Sequence, residues 1–270
     1  MVWLLMACVG EADSGGPRAC NGHEALCERP FDQAVLPGTH NSMSNADAGW
    51  WFPNQQHGLT RQLEDGVRGF LLDTYEEDGE LLLCHGSCGL GSQPLVEGLG
   101  ELADFLEANP DEVLALILQD ATTPEQTAQA FQESGLLEYV YTHDGTWPTL
   151  GEMADDDARV LVTLESGREG VDWLYPAWSM YSDTAWSYAD VEAMECSLNR
   201  GAEDSPLFLL NHWIGDVPSA WGGEQANAQA VLQARVAECL EVRGRLPTLV
   251  AVDFYDQGQL FEVVAALNEG

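Results

Sequence analysis

Six short apolar runs alternate with helical stretches along this chain, and most of the runs are apolar on both faces. They are Gln33 to Pro37, Arg68 to Tyr75, Val113 to Asp120, Arg159 to Glu165, Pro206 to His212 and Thr248 to Tyr255. In Val113-Leu114-Ala115-Leu116-Ile117-Leu118 nothing polar interrupts the period of two, so neither face of that strand is built for water. Strands covered on both sides and separated by helices belong to a parallel sheet. Between them, Pro94 to Ala108, Thr123 to Ser134, Gly223 to Arg243 and Gly258 to Leu267 have helical character, with Pro94 and Pro124 where helices favour proline. The pattern predicts an α/β fold of the TIM-type (β/α) barrel, closed, distorted or incompletely closed, with a doubly wound open sheet as the alternative. A length of 270 residues suits one such barrel.

The strand ends carry polar residues in turn: His40 shortly after the first, then Asp73, Gln119 with Asp120, Glu165, Asn211 with His212, and Asp253. Any one of these reads equally as a solvated loop starter. Taken together they mark the rim where barrel enzymes place their chemistry. The charge limits the partners. There are 45 acidic against 10 basic residues, a formal charge of -35, and every basic residue is an arginine. The absence of lysine excludes a lysine Schiff base and a lysine-bearing phosphate loop. The negative field opposes nucleic acid and strongly anionic membranes, and its plainest account is solubility.

Residues 1–19 read as a signal remnant and flexible tether, and residues 20–270 as a single barrel domain. Leu5-Met6-Ala7-Cys8 has the form of a lipobox without its charged front, which would leave a lipid anchor on Cys8. A fragment of an ordinary cleaved signal, or a misplaced start, is the alternative. Either signal reading implies export, to a bacterial cell surface or periplasm as a lipoprotein, or as a secreted protein. Six cysteines remain beyond Cys8, an even number that suits disulfides in an exported chain. Fifteen connectivities are formally open. Proximity favours Cys20 with Cys27 and Cys84 with Cys88, leaving Cys196 with Cys239, and no histidine stands at ligand spacing for zinc.

Four strings carry a resemblance. They are Leu36-Pro37-Gly38-Thr39-His40-Asn41-Ser42, Gln62-Leu63-Glu64-Asp65-Gly66-Val67-Arg68, Leu83-Cys84-His85-Gly86 and Leu249-Val250-Ala251-Val252-Asp253-Phe254-Tyr255. In this order and spacing they resemble the X region of phosphatidylinositol-specific phospholipases C, over essentially the whole chain after Cys27. The resemblance implies that His40 is a general base, that His85 is a general acid, and that Asp253 hydrogen-bonds His40 and fixes its tautomer. Two imidazoles suit the reaction, because attack on phosphorus needs one proton removed and another delivered.

The resemblance also implies a cation. Asp73 lies where metal-independent relatives have a catalytic arginine and calcium-dependent ones an aspartate, and Asn41 matches a further calcium ligand. Leu71 and Gln119 depart from that pattern, and Asp120 is the expected substitute. Calcium is the expected cofactor, with magnesium or no metal as alternatives. Arg68, just before its strand, reads as structural. Glu165, Asn211, His212 and Tyr255 are expected head-group contacts, and Trp50-Trp51-Phe52 either dips into a lipid interface or covers the barrel. The expected activity is cleavage of a phosphoinositide-type or related phospholipid diester. Rival readings are another diester on the same barrel, such as a glycerophosphodiester or sphingolipid, and a surface lipoprotein that binds head groups or sugars without turnover.

Overall fold

The computed structural model describes residues 17–167, 170–186 and 188–269, so the Cys8 anchor expected from sequence lies outside the described residues. Among the described residues ten strands form one sheet: β1 (Leu36–Thr39), β2 (Gly69–Glu77), β3 (Glu80–Cys84), β4 (Ser92–Pro94), β5 (Leu114–Asp120), β6 (Val160–Leu164), β7 (Leu174–Pro176), β8 (Tyr181–Asp183), β9 (Leu207–His212) and β10 (Leu249–Val252). Eight of them run parallel in the order β7-β6-β5-β2-β1-β10-β9-β8, while β3 and β4 add an antiparallel flap beside β2. The parallel strands curl into a distorted TIM-type barrel. The two ends of the strand order, β7 and β8, are linked in sequence by the one-turn helix Ala177–Met180.

The longer parallel strands alternate between two apolar layers. Leu36, Leu71, Ala115, Ile117, Leu161, Leu207, Leu209, Leu249 and Ala251 share an inner core. Phe70, Leu72, Leu116, Leu118, Val162, Phe208, Leu210, Val250 and Val252 face the helices in an outer one. The inner layer is tight where β1, β2 and β10 meet. A Cβ on Gly38 or Gly69 would come within 2.4 or 2.0 Å of Leu249 Cδ1, so only glycine fits beside that side chain.

The helices Leu95–Ala108, Pro124–Glu133, Gln229–Arg243 and Leu260–Glu269 clothe the outside near the expected positions. The stretch expected as one helix from Gly223 to Arg243 is two, Ala220–Ala226 and Gln229–Arg243. The break falls at Asn227, whose side-chain amide donates to the carbonyls of Asp253 and Phe254. The first strand lies later than expected, because Phe31–Gln33 is a 3-10 turn. Among the described residues three disulfides form: Cys20–Cys27 and Cys84–Cys88, the pairs that proximity favoured, and Cys196–Cys239, the pair these left over. Arg18 closes the N-terminal side onto the body through Asp111 and Asp155.

Candidate active site

Strand parity decides which rim residues reach the interior. Continuing the inward positions by two places, Asp73, Gln119 and Asn211 line a cavity at the C-terminal end of the strands. His40, Asn41, Glu165, Arg200, Trp186 and Trp213 complete its polar and aromatic wall, and Leu71 and Ile117 form its floor. The opposite parity sends two expected site residues outward. Asp120 accepts from the backbone N–H of Ser166 at 2.9 Å and from the Ser166 hydroxyl, outside the cavity. His212 is fully buried with Nε2 against the Ala226 carbonyl at 2.8 Å, and burial holds its imidazole down to about 4. Tyr255, past the end of β10, packs in the outer layer and donates its hydroxyl to Asp65 at 2.8 Å. The metal role expected of Asp120 and the head-group roles expected of His212 and Tyr255 thus lack the needed placement.

His40 follows β1 and is held from four sides. Its backbone N–H donates to the Val252 carbonyl at 2.9 Å, and its own carbonyl accepts from Gln55 Nε2 at 2.8 Å. Nδ1 lies 2.9 Å from Asp253 Oδ1, an oxygen that also accepts from Asn54 Nδ2 at 3.1 Å. A carboxylate can only accept, so Nδ1 carries the hydrogen and Nε2 is left free. The Trp213 indole lies flat on the imidazole, with centroids 3.8 Å apart and planes within 4°.

His85 stands beyond β3, in a turn bracketed by the Cys84–Cys88 disulfide, and is not among the residues that line the cavity. Partial desolvation, then the neighbouring His40, hold its imidazole below the ordinary range, with Asp253 opposing. The two histidines are therefore within electrostatic reach of one another. Arg68 faces away, paired with Glu112 and donating to the carbonyls of Leu63 and Val67.

The other half of the cavity holds carboxylates. Asp73 is 3% exposed, and its Oδ2 has no hydrogen-bond partner. Burial pushes its carboxyl up to about 7; His40 works against this and Glu165 adds to it. Burial likewise raises Glu165, opposed chiefly by Arg200. Asn41, in a left-handed turn at φ 44°, leaves its buried side-chain amide nitrogen unpaired, and so does the buried Asn211 Oδ1. Among the described residues no three His, Cys, Asp or Glu side chains gather as a metal-holding group. A cation here would rest on Asp73 Oδ2 and amide oxygens such as Asn211 Oδ1, which fit a hard ion that takes oxygen donors, whereas Asn41 would join them only with its amide turned to exchange nitrogen for oxygen.

Arg200 was not among the residues expected at the site. Its guanidinium lies between Trp178 and Trp186, 3.6 and 4.1 Å from their ring centroids. Nε and Nη2 donate to the fully buried Asp183 at 2.9 and 2.6 Å, and Nη1 donates to Glu165 at 3.2 Å. The loop carrying Arg200 is fastened to the helix Gln229–Arg243 by the Cys196–Cys239 disulfide. Trp213 was also missed, although it continues the inward parity of Leu209 and Asn211.

Comparison with known proteins places this geometry. The family model described as PI-PLC X 1 matches residues 26–268. A PI-PLC X domain-containing protein of Arabidopsis thaliana is 30% identical over 270 residues, spanning 88% of this chain and 62% of that protein. PI-PLC X domain-containing protein 1 of Arthroderma benhamiae is 27% identical over 92% of this chain and 89% of its own. An uncharacterized secreted protein of the same species is 27% identical over 93% and 64%. A solved structure of phosphatidylinositol-specific phospholipase C from Staphylococcus aureus superposes at TM-score 0.58 and 16% identity, covering 90% of this chain and 94% of that one. That likeness shows a shared fold.

Proposed function

The chain belongs to the PI-PLC X family, and from that premise we propose that it is a phosphodiesterase cleaving a phosphoinositide-type or related phospholipid diester. The observation that carries the reading is the His40–Asp253 pair at the cavity, which commits Nδ1 and leaves Nε2 as the base. Nε2 takes the proton of a hydroxyl next to the phosphate, and that oxygen attacks phosphorus. The bond from phosphorus to the glycerol oxygen breaks as His85 delivers a proton to it. The products are a cyclic phosphate and a diacylglycerol-type alcohol. Where no hydroxyl adjoins the phosphate, His40 activates water and an acyclic monoester forms. Asp253 stabilises the imidazolium throughout.

Asn41 and Asp73 would hold a calcium or magnesium ion, which when bound supplies a Lewis acid for the charge on the phosphoryl oxygens. Glu165 and Asn211 face the head group from the cavity wall. Trp51 and Phe52, 68% and 58% exposed after β1, make peripheral contact with a lipid surface. Three disulfides suit an exported location.

Turnover of phosphatidylinositol and glycerophosphoinositol, with calcium and with chelator, tests the proposal. Each of His40→Ala and His85→Ala is expected to lower kcat by about 10² to 10⁴. If the wild type turns over neither of these nor a glycerophosphodiester or sphingolipid, a head-group-binding protein without turnover takes the place of the enzyme.

A further inference from the structure

Glu165 is the carboxylate whose role the pairing of His40 with Asp253 does not explain. It lines the cavity with Asp73 and Asn41, and its charge reaches Asp73 across the open space. Asp73 has one oxygen with neither a hydrogen-bond donor nor solvent, and no cationic side chain of the described residues is paired with it. Two carboxylates facing one cavity repel, and the guanidinium of Arg200 relieves only the Glu165 side. A cation seated between them would satisfy both. The floor offers nothing to help, since Leu71 and Ile117 are apolar there and Gln119 is neutral.

Arg200 can release Glu165 without being left unpaired. The bond to Glu165, at 3.2 Å, is the longest of its side-chain contacts to carboxylates, and the pair is partly exposed on both sides. Such pairs are weak. Its bonds to Asp183 and its place between two indole rings do not depend on Glu165.

We propose that Glu165 is a shared carboxylate. It pairs with Arg200 when the site holds no cation and turns to a divalent cation beside Asp73 and Asn41 when one binds. This rests on the cation-assisted reading above and adds two things to it: a second carboxylate ligand, and an arginine that sets the affinity by competing for that ligand. Arg200 then keeps the site weak, and the cation and the guanidinium exclude each other from one side chain.

The two partners of Glu165 should respond with opposite signs. Calcium chloride is titrated calorimetrically into the full-length protein, and terbium binding is followed by luminescence sensitised by the neighbouring indoles. Glu165→Gln is expected to weaken binding of both ions by about tenfold or more, because a charged oxygen is replaced by a neutral one. Arg200→Gln is expected to tighten binding by roughly three- to tenfold. Asp73→Asn serves as the reference that abolishes binding, and urea unfolding in chelator shows that each variant is folded. Should Arg200→Gln fail to fold because Asp183 is left buried and unpaired, Glu165→Gln decides alone, since it leaves Asp183 untouched. Equal affinities for wild type and Glu165→Gln, with binding still lost in Asp73→Asn, overturn the shared carboxylate and leave the cation reading intact. A wild type that binds neither ion overturns both.

Discussion

The two halves of the cavity rim are built in opposite ways. Around His40 the polar groups are largely committed: Asp253 to Nδ1, Asn54 to Asp253, Gln55 to two carbonyls, and Trp213 to the ring face. Around Asp73 the buried atoms wait, with one carboxylate oxygen and the side-chain amide nitrogen of Asn41 unpaired. The first half is a preorganised proton acceptor, fixed before substrate arrives. The second carries an unfavourable arrangement that only a ligand or a proton can relieve. Stability and function are therefore aligned on one side of the barrel and opposed on the other.

The largest test of this contrast is Asp253→Asn. An asparagine fills the same space but can turn an N–H toward Nδ1, which rewards the tautomer with its hydrogen on Nε2. The expected result is a fall in kcat of about 10² to 10⁴ with KM little changed, read from steady-state turnover. A KM effect without a kcat effect would mean that His40 is not held for proton transfer.

Next in size is the same substitution on the other side, Asp73→Asn. The folded carboxyl is raised to about 7, so the stability linked to its proton is present below the ordinary aspartate range and is lost as pH rises through 7. In chelator, Asp73→Asn should thus gain roughly 2–4 kcal/mol over wild type at pH 8 and close to nothing at pH 4, measured by urea unfolding. No gain at pH 8 would show that Asp73 is paired, and the contrast between the halves would collapse.

The half around His40 was the legible one. Its residues sit in contiguous strings, Leu36 to Ser42 and Leu249 to Tyr255, so the motif order located the base and its partner together. The other half was harder to read for a physical reason. Strands apolar on both faces have no polar side to mark the interior, so Gln119 and Asp120, or Asn211 and His212, are equivalent in pattern until parity is known. A signal was present in the small residues Gly38, Gly69, Ala115 and Ala251, which mark the crowded inner layer and put Gln119 and Asn211 inward. Arg200 had no such signal. It arrives on an irregular loop held by a disulfide rather than by a strand, and neither period nor motif reaches it. The three-residue strands β4, β7 and β8 are too short to show a period at all.

The smallest expected effect concerns the loop that leaves His40. Trp51 and Phe52 expose most of their surface, and Trp51 N–H donates to the Leu90 carbonyl of the neighbouring turn at 2.8 Å, so two loops share this corner of the mouth. Residues 41–58 and 85–94 contain no arginine and the chain contains no lysine, so charge offers no attraction to anionic lipid there. Docking must come from burial of apolar surface, which for one such ring contributes about 1–3 kcal/mol. Trp51→Ala and Phe52→Ala should each weaken binding to zwitterionic vesicles by roughly five- to fiftyfold, read by sedimentation and little changed by added salt. Turnover of soluble glycerophosphoinositol should stay the same, because neither side chain lines the cavity. Loss of soluble turnover in step with vesicle binding would mean instead that the pair braces the loop behind His40, and that the committed half of the rim owes its order to Trp51 and Phe52.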